Sequence, residues 1–70
     1  MTYAQFVKRM REFRDNVTPT FLPLMSAASA SKLTGLSASK ARAHLDRMVR
    51  ENKATRTKYH RVFYTIGGAA

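Results

Sequence analysis

The sequence predicts a mainly α domain with a small β-hairpin, an α+β arrangement of three helices and a two- or three-stranded sheet. Three observations predict it. Apolar residues recur at spacings of three and four in three separate stretches, as one face of a helix requires. Gly35-Leu36-Ser37 breaks that pattern between the second and third stretches. Alternation takes over near the end, where Val62, Tyr64 and Ile66 fall on one side of a strand and Phe63 and Thr65 on the other.

The first helix is expected over residues 3–15. Thr2 followed by Gln5 is a capping-box pattern, and Tyr3, Phe6, Val7, Met10 and Phe13 make the inner face. Its outer face carries Lys8, Arg9, Arg11, Glu12 and Asp15, which reads as a solvated charged face in preference to a membrane-surface helix. No charged residue follows from Asn16 to Ser31, and Pro19 and Pro23 punctuate this connector. Thr18-Pro19 suits the start of a short helix, but Pro23 would lie inside it, so residues 20–25 read better as an extended piece adding an edge strand. Phe21, Leu22, Leu24 and Met25 are expected in the core either way.

Ser26 is placed to cap a second helix over residues 27–34, and a third runs over residues 38–51. Between them Gly35 supplies a left-handed helix end, Leu36 an apolar plug and Ser37 the next cap, which makes a helix-turn-helix. Ala27, Ala30 and Leu33 on one helix, and Ala41, Leu45, Met48 and Val49 on the other, are expected to share a buried side. The third helix then shows Ser39, Lys40, Arg42, Ala43, Arg47 and Arg50 outward, and Asp46 and Arg50 stand at a supporting i,i+4 spacing. Its first two turns are small or basic, as close approach to a DNA major groove requires.

Asn52 suits a left-handed C-cap that turns the chain sharply. Two strands follow, over residues 54–57 and 61–66, with Lys58, Tyr59 and His60 in the turn. Without Gly, Asn or Asp at the tip, the connection must be longer than a two-residue turn. Residues 67–70 read as a frayed tail.

Seventy residues make one domain, near the lower size limit for a single core. Thirteen Lys and Arg against four Asp and Glu give a net charge of +9, which favours a polyanionic partner and puts nucleic acid ahead of an anionic membrane. With no cysteine, disulfides, thiolate catalysis and Cys-based zinc sites are excluded. His44 and His60 alone do not make a zinc site, and Ser39, His44 and Asp46 on one short helix cannot converge as a triad. Neither an enzyme nor a cofactor or metal is expected. The start MTYAQFVKRMREF lacks the apolar core of a signal peptide and no run is long enough to span a membrane, so a soluble, cytoplasmic protein is expected.

The residues SKLTGLSASKARAHLDRMVREN followed by RVFYTI resemble small bacterial and phage winged helix-turn-helix transcription regulators. Leu33, Thr34-Gly35-Leu36-Ser37, Ser39, His44-Leu45 and Val62-Phe63-Tyr64 carry the likeness. It implies a recognition helix in the major groove of double-stranded DNA and a basic wing over adjacent backbone or minor groove. Asn52-Lys53-Ala54 departs from the Gly-Leu-Val usual at this point, which would weaken packing of the first wing strand. The expected DNA-binding residues are Ser37, Ser39, Lys40, Arg42, Ala43 and Arg47 around the recognition helix, and Lys58, Tyr59, His60 and Arg61 in the wing. Paired half-sites favour a homodimer. The alternative is a phage-type winged-helix interaction module that inhibits a host nucleic-acid-binding protein. Single-stranded nucleic acid ranks lower, since only Tyr59 and Tyr64 offer a stacking platform.

Overall fold

A computed structural model describes residues 1–16, 24–58 and 60–67. The elements are α1 (Tyr3–Asn16), β1 (Leu24–Met25), α2 (Ala27–Thr34), α3 (Ala38–Arg50), β2 (Ala54–Lys58) and β3 (Val62–Ile66). The strands form one antiparallel sheet in the order β1-β3-β2, with Met25 opposite Tyr64, and Arg56 opposite Tyr64 on the other side. Three helices and a small three-stranded sheet in this order have the layout of a winged helix.

Local chemistry accounts for each boundary. At the start of α1 the Thr2 amide donates to Gln5 Oε1 at 2.8 Å and the Gln5 amide returns to Thr2 Oγ1 at 3.2 Å, closing the capping box. The Ser26 and Ser37 hydroxyls accept from the amides of Ser29 and Lys40, which caps α2 and α3. Gly35, at φ 75°, ends α2 and its amide reaches Ser31 O at 2.8 Å. Leu36 packs against the core as the plug between helices, held by the Ser31 hydroxyl donating to its carbonyl.

The end of α3 is a Schellman turn. Asn52 takes φ 61°, its amide bonds Val49 O at 3.1 Å, and the Lys53 amide bonds Met48 O at 2.7 Å. Asparagine therefore substitutes for the glycine usual at this corner, and the first wing strand is not weakly packed. Ala54 is buried opposite Ile66, and β2 pairs with β3 along its whole length.

One core joins all six elements: Phe6, Val7 and Met10 from α1, Met25 from β1, Ala30 from α2, Ala41, Leu45 and Met48 from α3, and Ala54, Tyr64 and Ile66 from the hairpin. Tyr3, Phe13, Leu36, Val49 and Val62 pack around it.

Several expectations need correction. Leu24 is 42% exposed, because adjacent strand residues face opposite ways and Met25 takes the inward position. Leu33 is 38% exposed: the inward stripe of α2 runs through Ala27, Ala30, Ser31 and Thr34, and Leu33 lies on its flank. Thr34 meets its polar need by donating to Ala30 O at 2.7 Å. Glu51 is the C-cap of α3, outside the helix. Lys58 belongs to β2 and is paired with Val62 of β3, and Arg61 lies in the tip before β3, outside the strand. Asp46 turns to Tyr64 instead of Arg50, and Arg47 with Glu51 makes an i,i+4 pair on the same helix. Gly67 is not frayed, since its amide donates to Lys53 O at 2.8 Å. The edge strand is present at Leu24–Met25, whereas the choice of helix or strand at residues 19–23, the burial of Phe21 and Leu22, and the rest of the tail, residues 68–70, lie outside the described residues.

Candidate nucleic-acid interface

The amphipathic sequence of α3 determines what it shows to solvent. Ala41, Leu45 and Met48 are fully buried, so the opposite side carries Ser39, Lys40, Arg42, Ala43, Arg47 and Arg50, all exposed. Ser39 and Ala43 are one turn apart at the middle of that side, giving a low track along the helix. Arg42 lies on the flank towards β3, and Lys40 and Arg47 on the flank towards α1. Among the described residues, none covers this face.

Ser37 is exposed at the start of the helix, with its hydroxyl already accepting from the Lys40 amide at 3.3 Å. Arg47 is held apart from the leading residues. Its Nε donates to Glu51 Oε2 at 3.0 Å and its guanidinium lies 4.0 Å from the centre of the Tyr3 ring. His44 is half-buried beside the Tyr3 and Phe6 rings, at centroid distances of 5.7 and 5.0 Å, and so belongs to the α1–α3 contact. In the hairpin Lys58, His60 and Arg61 are exposed, and Tyr59 lies outside the described residues.

Arg56 and Asp46 were not among the residues expected here, and Tyr64, expected only as a stacking platform, is instead buried in the core. Alternation along β2 puts Ala54, Arg56 and Lys58 on the sheet face that meets α3, and the burial of Ala54 fixes that assignment. Past the end of the core the same face leaves Arg56 and Lys58 exposed beside α3. The period-two pattern was readable in Ala54-Thr55-Arg56-Thr57-Lys58; what was missing was which face turned inward.

Tyr64 joins hairpin to helix. Its side chain is 1% exposed and its hydroxyl donates to Asp46 Oδ1 at 2.6 Å. Burial and the Asp46 hydrogen bond raise the phenol's pKa, against the nearby positive charges of Arg56 and Arg42. Ala27, Arg42, Val62 and Tyr64 line a shallow hollow at this junction.

The sign of the surface follows from how the acids are used. Glu12 pairs with Arg9, Asp15 with Arg14, and Glu51 with Arg47 and Lys53, while Asp46 receives the Tyr64 hydroxyl. Hydrogen bonds from Lys53, Arg47 and Tyr3, in that order, hold the Glu51 carboxyl down at about 2. Lys40, Arg42, Arg50, Arg56, Lys58 and Arg61 form no salt bridge among the described residues. They border the exposed face of α3 and the end of the hairpin.

Such an arrangement suits binding of a polyanion. Among the described residues there is no group of three or more His, Cys, Asp and Glu side chains placed to hold a metal ion, and no helix is long and apolar enough to cross a membrane. No protein-family profile, curated protein or solved structure matches this chain.

Proposed function

We propose that the protein is a sequence-specific double-stranded DNA-binding regulator, with α3 in the major groove and the β2–β3 hairpin on flanking backbone or minor groove. The observation that carries this reading is the open face of α3, where Ser39 and Ala43 leave a low track between the exposed cations Lys40 and Arg42. A groove about 12 Å wide admits a helix whose central side chains are short, and Lys or Arg on its flanks reach guanine edges and phosphates. Thirteen residues give α3 a length of about 20 Å, enough to follow the groove over several base pairs. Arg56, Lys58 and Arg61 then stand beside the helix as backbone contacts.

A single module of this size contacts a limited area of duplex, so the reading includes a homodimer on paired half-sites. Sedimentation of the free protein and of its DNA complex tests that part. A monomer in both removes it.

Selection from a random duplex pool tests the main reading, with affinity for the winners compared with scrambled DNA at physiological salt. A palindromic winner bound at least ~10³ tighter supports a dimeric specific regulator. Weak, salt-sensitive binding without enrichment rejects it and directs attention to a protein that normally accepts nucleic acid.

A further inference from the structure

Asp46 is the single acid within α3, and it sits four residues after Arg42 and four before Arg50, the spacings at which opposite charges pair along a helix. Neither pair forms. The Asp46 carboxylate instead takes the Tyr64 hydroxyl at 2.6 Å, from a side chain fixed in the core between Met25 and Arg56 across the sheet. We propose that Tyr64 is a positioning residue for the reading head: its hydroxyl occupies Asp46, and so keeps Arg42 free for nucleic acid.

The proposal rests on the DNA-binding reading above. Packing sets the place of the phenol independently of Asp46, so the hydroxyl is a fixed donor waiting at the helix flank. Arg42 stands beside it, lining the same hollow. Glu51, further along, shows what an occupied arginine looks like on this chain, since Arg47 is tied to it at 3.0 Å although Tyr3 also donates to that carboxylate. The difference is reach. Glu51 is exposed and long enough to offer both oxygens, whereas Asp46 is shorter, half-buried and drawn towards the sheet. Without the hydroxyl, the cations available to Asp46 are Arg42 and Arg50 on its own helix and Arg56 on β2.

The test compares duplex binding by the wild-type protein, Tyr64→Phe, Asp46→Asn and the double variant, with thermal unfolding as a check on folding. An exposed helix ion pair competes only modestly, so Tyr64→Phe is expected to weaken binding about two- to fivefold. Asp46→Asn in the Tyr64→Phe background restores it, because the competing charge is gone. Asp46→Asn alone leaves affinity unchanged or raised, and this arm stands even if Tyr64→Phe fails to fold. Unaltered binding by folded Tyr64→Phe, a loss that Asp46→Asn does not restore, or a loss from Asp46→Asn alone overturns the proposal. NMR of the Arg42 Nε–H without DNA separates the two readings. Slower exchange with water in Tyr64→Phe than in wild type supports the positioning role even if no duplex binds, and equal exchange overturns it even if duplex binding is strong.

Discussion

The Tyr3 hydroxyl donates to Glu51 Oε1 at 3.0 Å, joining the first residue of α1 to the C-cap of α3 across most of the chain. Arg47 lies over the Tyr3 ring at 4.0 Å and Lys53 at 5.2 Å, while both also bond Glu51. One carboxylate thus gathers two cations and a phenol from three segments of the fold. It also removes Arg47 from the freely available charge of α3.

Acid sensitivity follows from that cluster. The Glu51 carboxyl titrates at about 2 in the fold, against an ordinary 4.5, with the Lys53 hydrogen bond as the largest cause. Because the folded value is depressed, the stabilisation is present above pH 4.5 and is lost as pH falls from 4.5 towards 2. Glu51→Gln is expected to lower Tm slightly at pH 7, since exposed pairs contribute modestly, and to flatten the decline across that window by the same amount. An unchanged acid limb in a Tm-against-pH series would show that the cluster does not persist in solution.

The turn makes a sharper prediction. Gly35 is at φ 75° with nothing within 4 Å of an added Cβ, so Gly35→Ala meets only the backbone penalty. A loss of about 1–2 kcal/mol is expected in urea unfolding, with Gly35→Asn losing less. Equal stability of all three would mean that α2 ends in another conformation.

Asn52 tests the same physics at the other corner. At φ 61° it satisfies the last carbonyls of α3, and glycine serves there equally well. Asn52→Gly should remain within about 0.5 kcal/mol of wild type, whereas Asn52→Val should cost over ~1 kcal/mol, as a β-branched residue in the left-handed region. Denaturant midpoints with unchanged slopes distinguish these outcomes.

These corners also mark how far the sequence could be read. Caps, the Gly35 turn, the Asn52 corner and the α3 core stripe were all legible, because each is a local pattern with a local cause. The edge strand at Leu24–Met25 was legible as a preference set by Pro23, but its facing was not. With only two residues in β1, register against β3 decides which one is buried. Leu33 was misplaced because hydrophobicity suggested an inward leucine where Ser31 and Thr34 turn in with satisfied hydroxyls. Arg56 and the Tyr64–Asp46 bond were invisible for a different reason, since both depend on pairing residues far apart in sequence.

Core truncation should be severe in a chain this short. Leu45 is fully buried among residues from several elements, and Leu45→Ala is expected to cost about 2–5 kcal/mol, which would leave much of such a domain unfolded. Circular dichroism at 25 °C checks it. Full native ellipticity with an unshifted Tm would place Leu45 outside the core.

Arg42, Arg56 and Lys58 should separate base reading from backbone attraction. Arg42 projects from the exposed face of α3, whereas Arg56 and Lys58 belong to the hairpin face beside it. On the proposed DNA reading, Arg42→Ala weakens the selected site by about 1–3 kcal/mol and relaxes preference at one base position. Arg56→Ala and Lys58→Ala weaken every duplex alike, and each lowers the slope of log K against log salt by about 0.9. Binding titrations of all three variants, on selected and scrambled duplexes at several salt concentrations, give both quantities. If the three lose affinity equally on every sequence, Arg42 is a phosphate contact and base reading must come from elsewhere on α3.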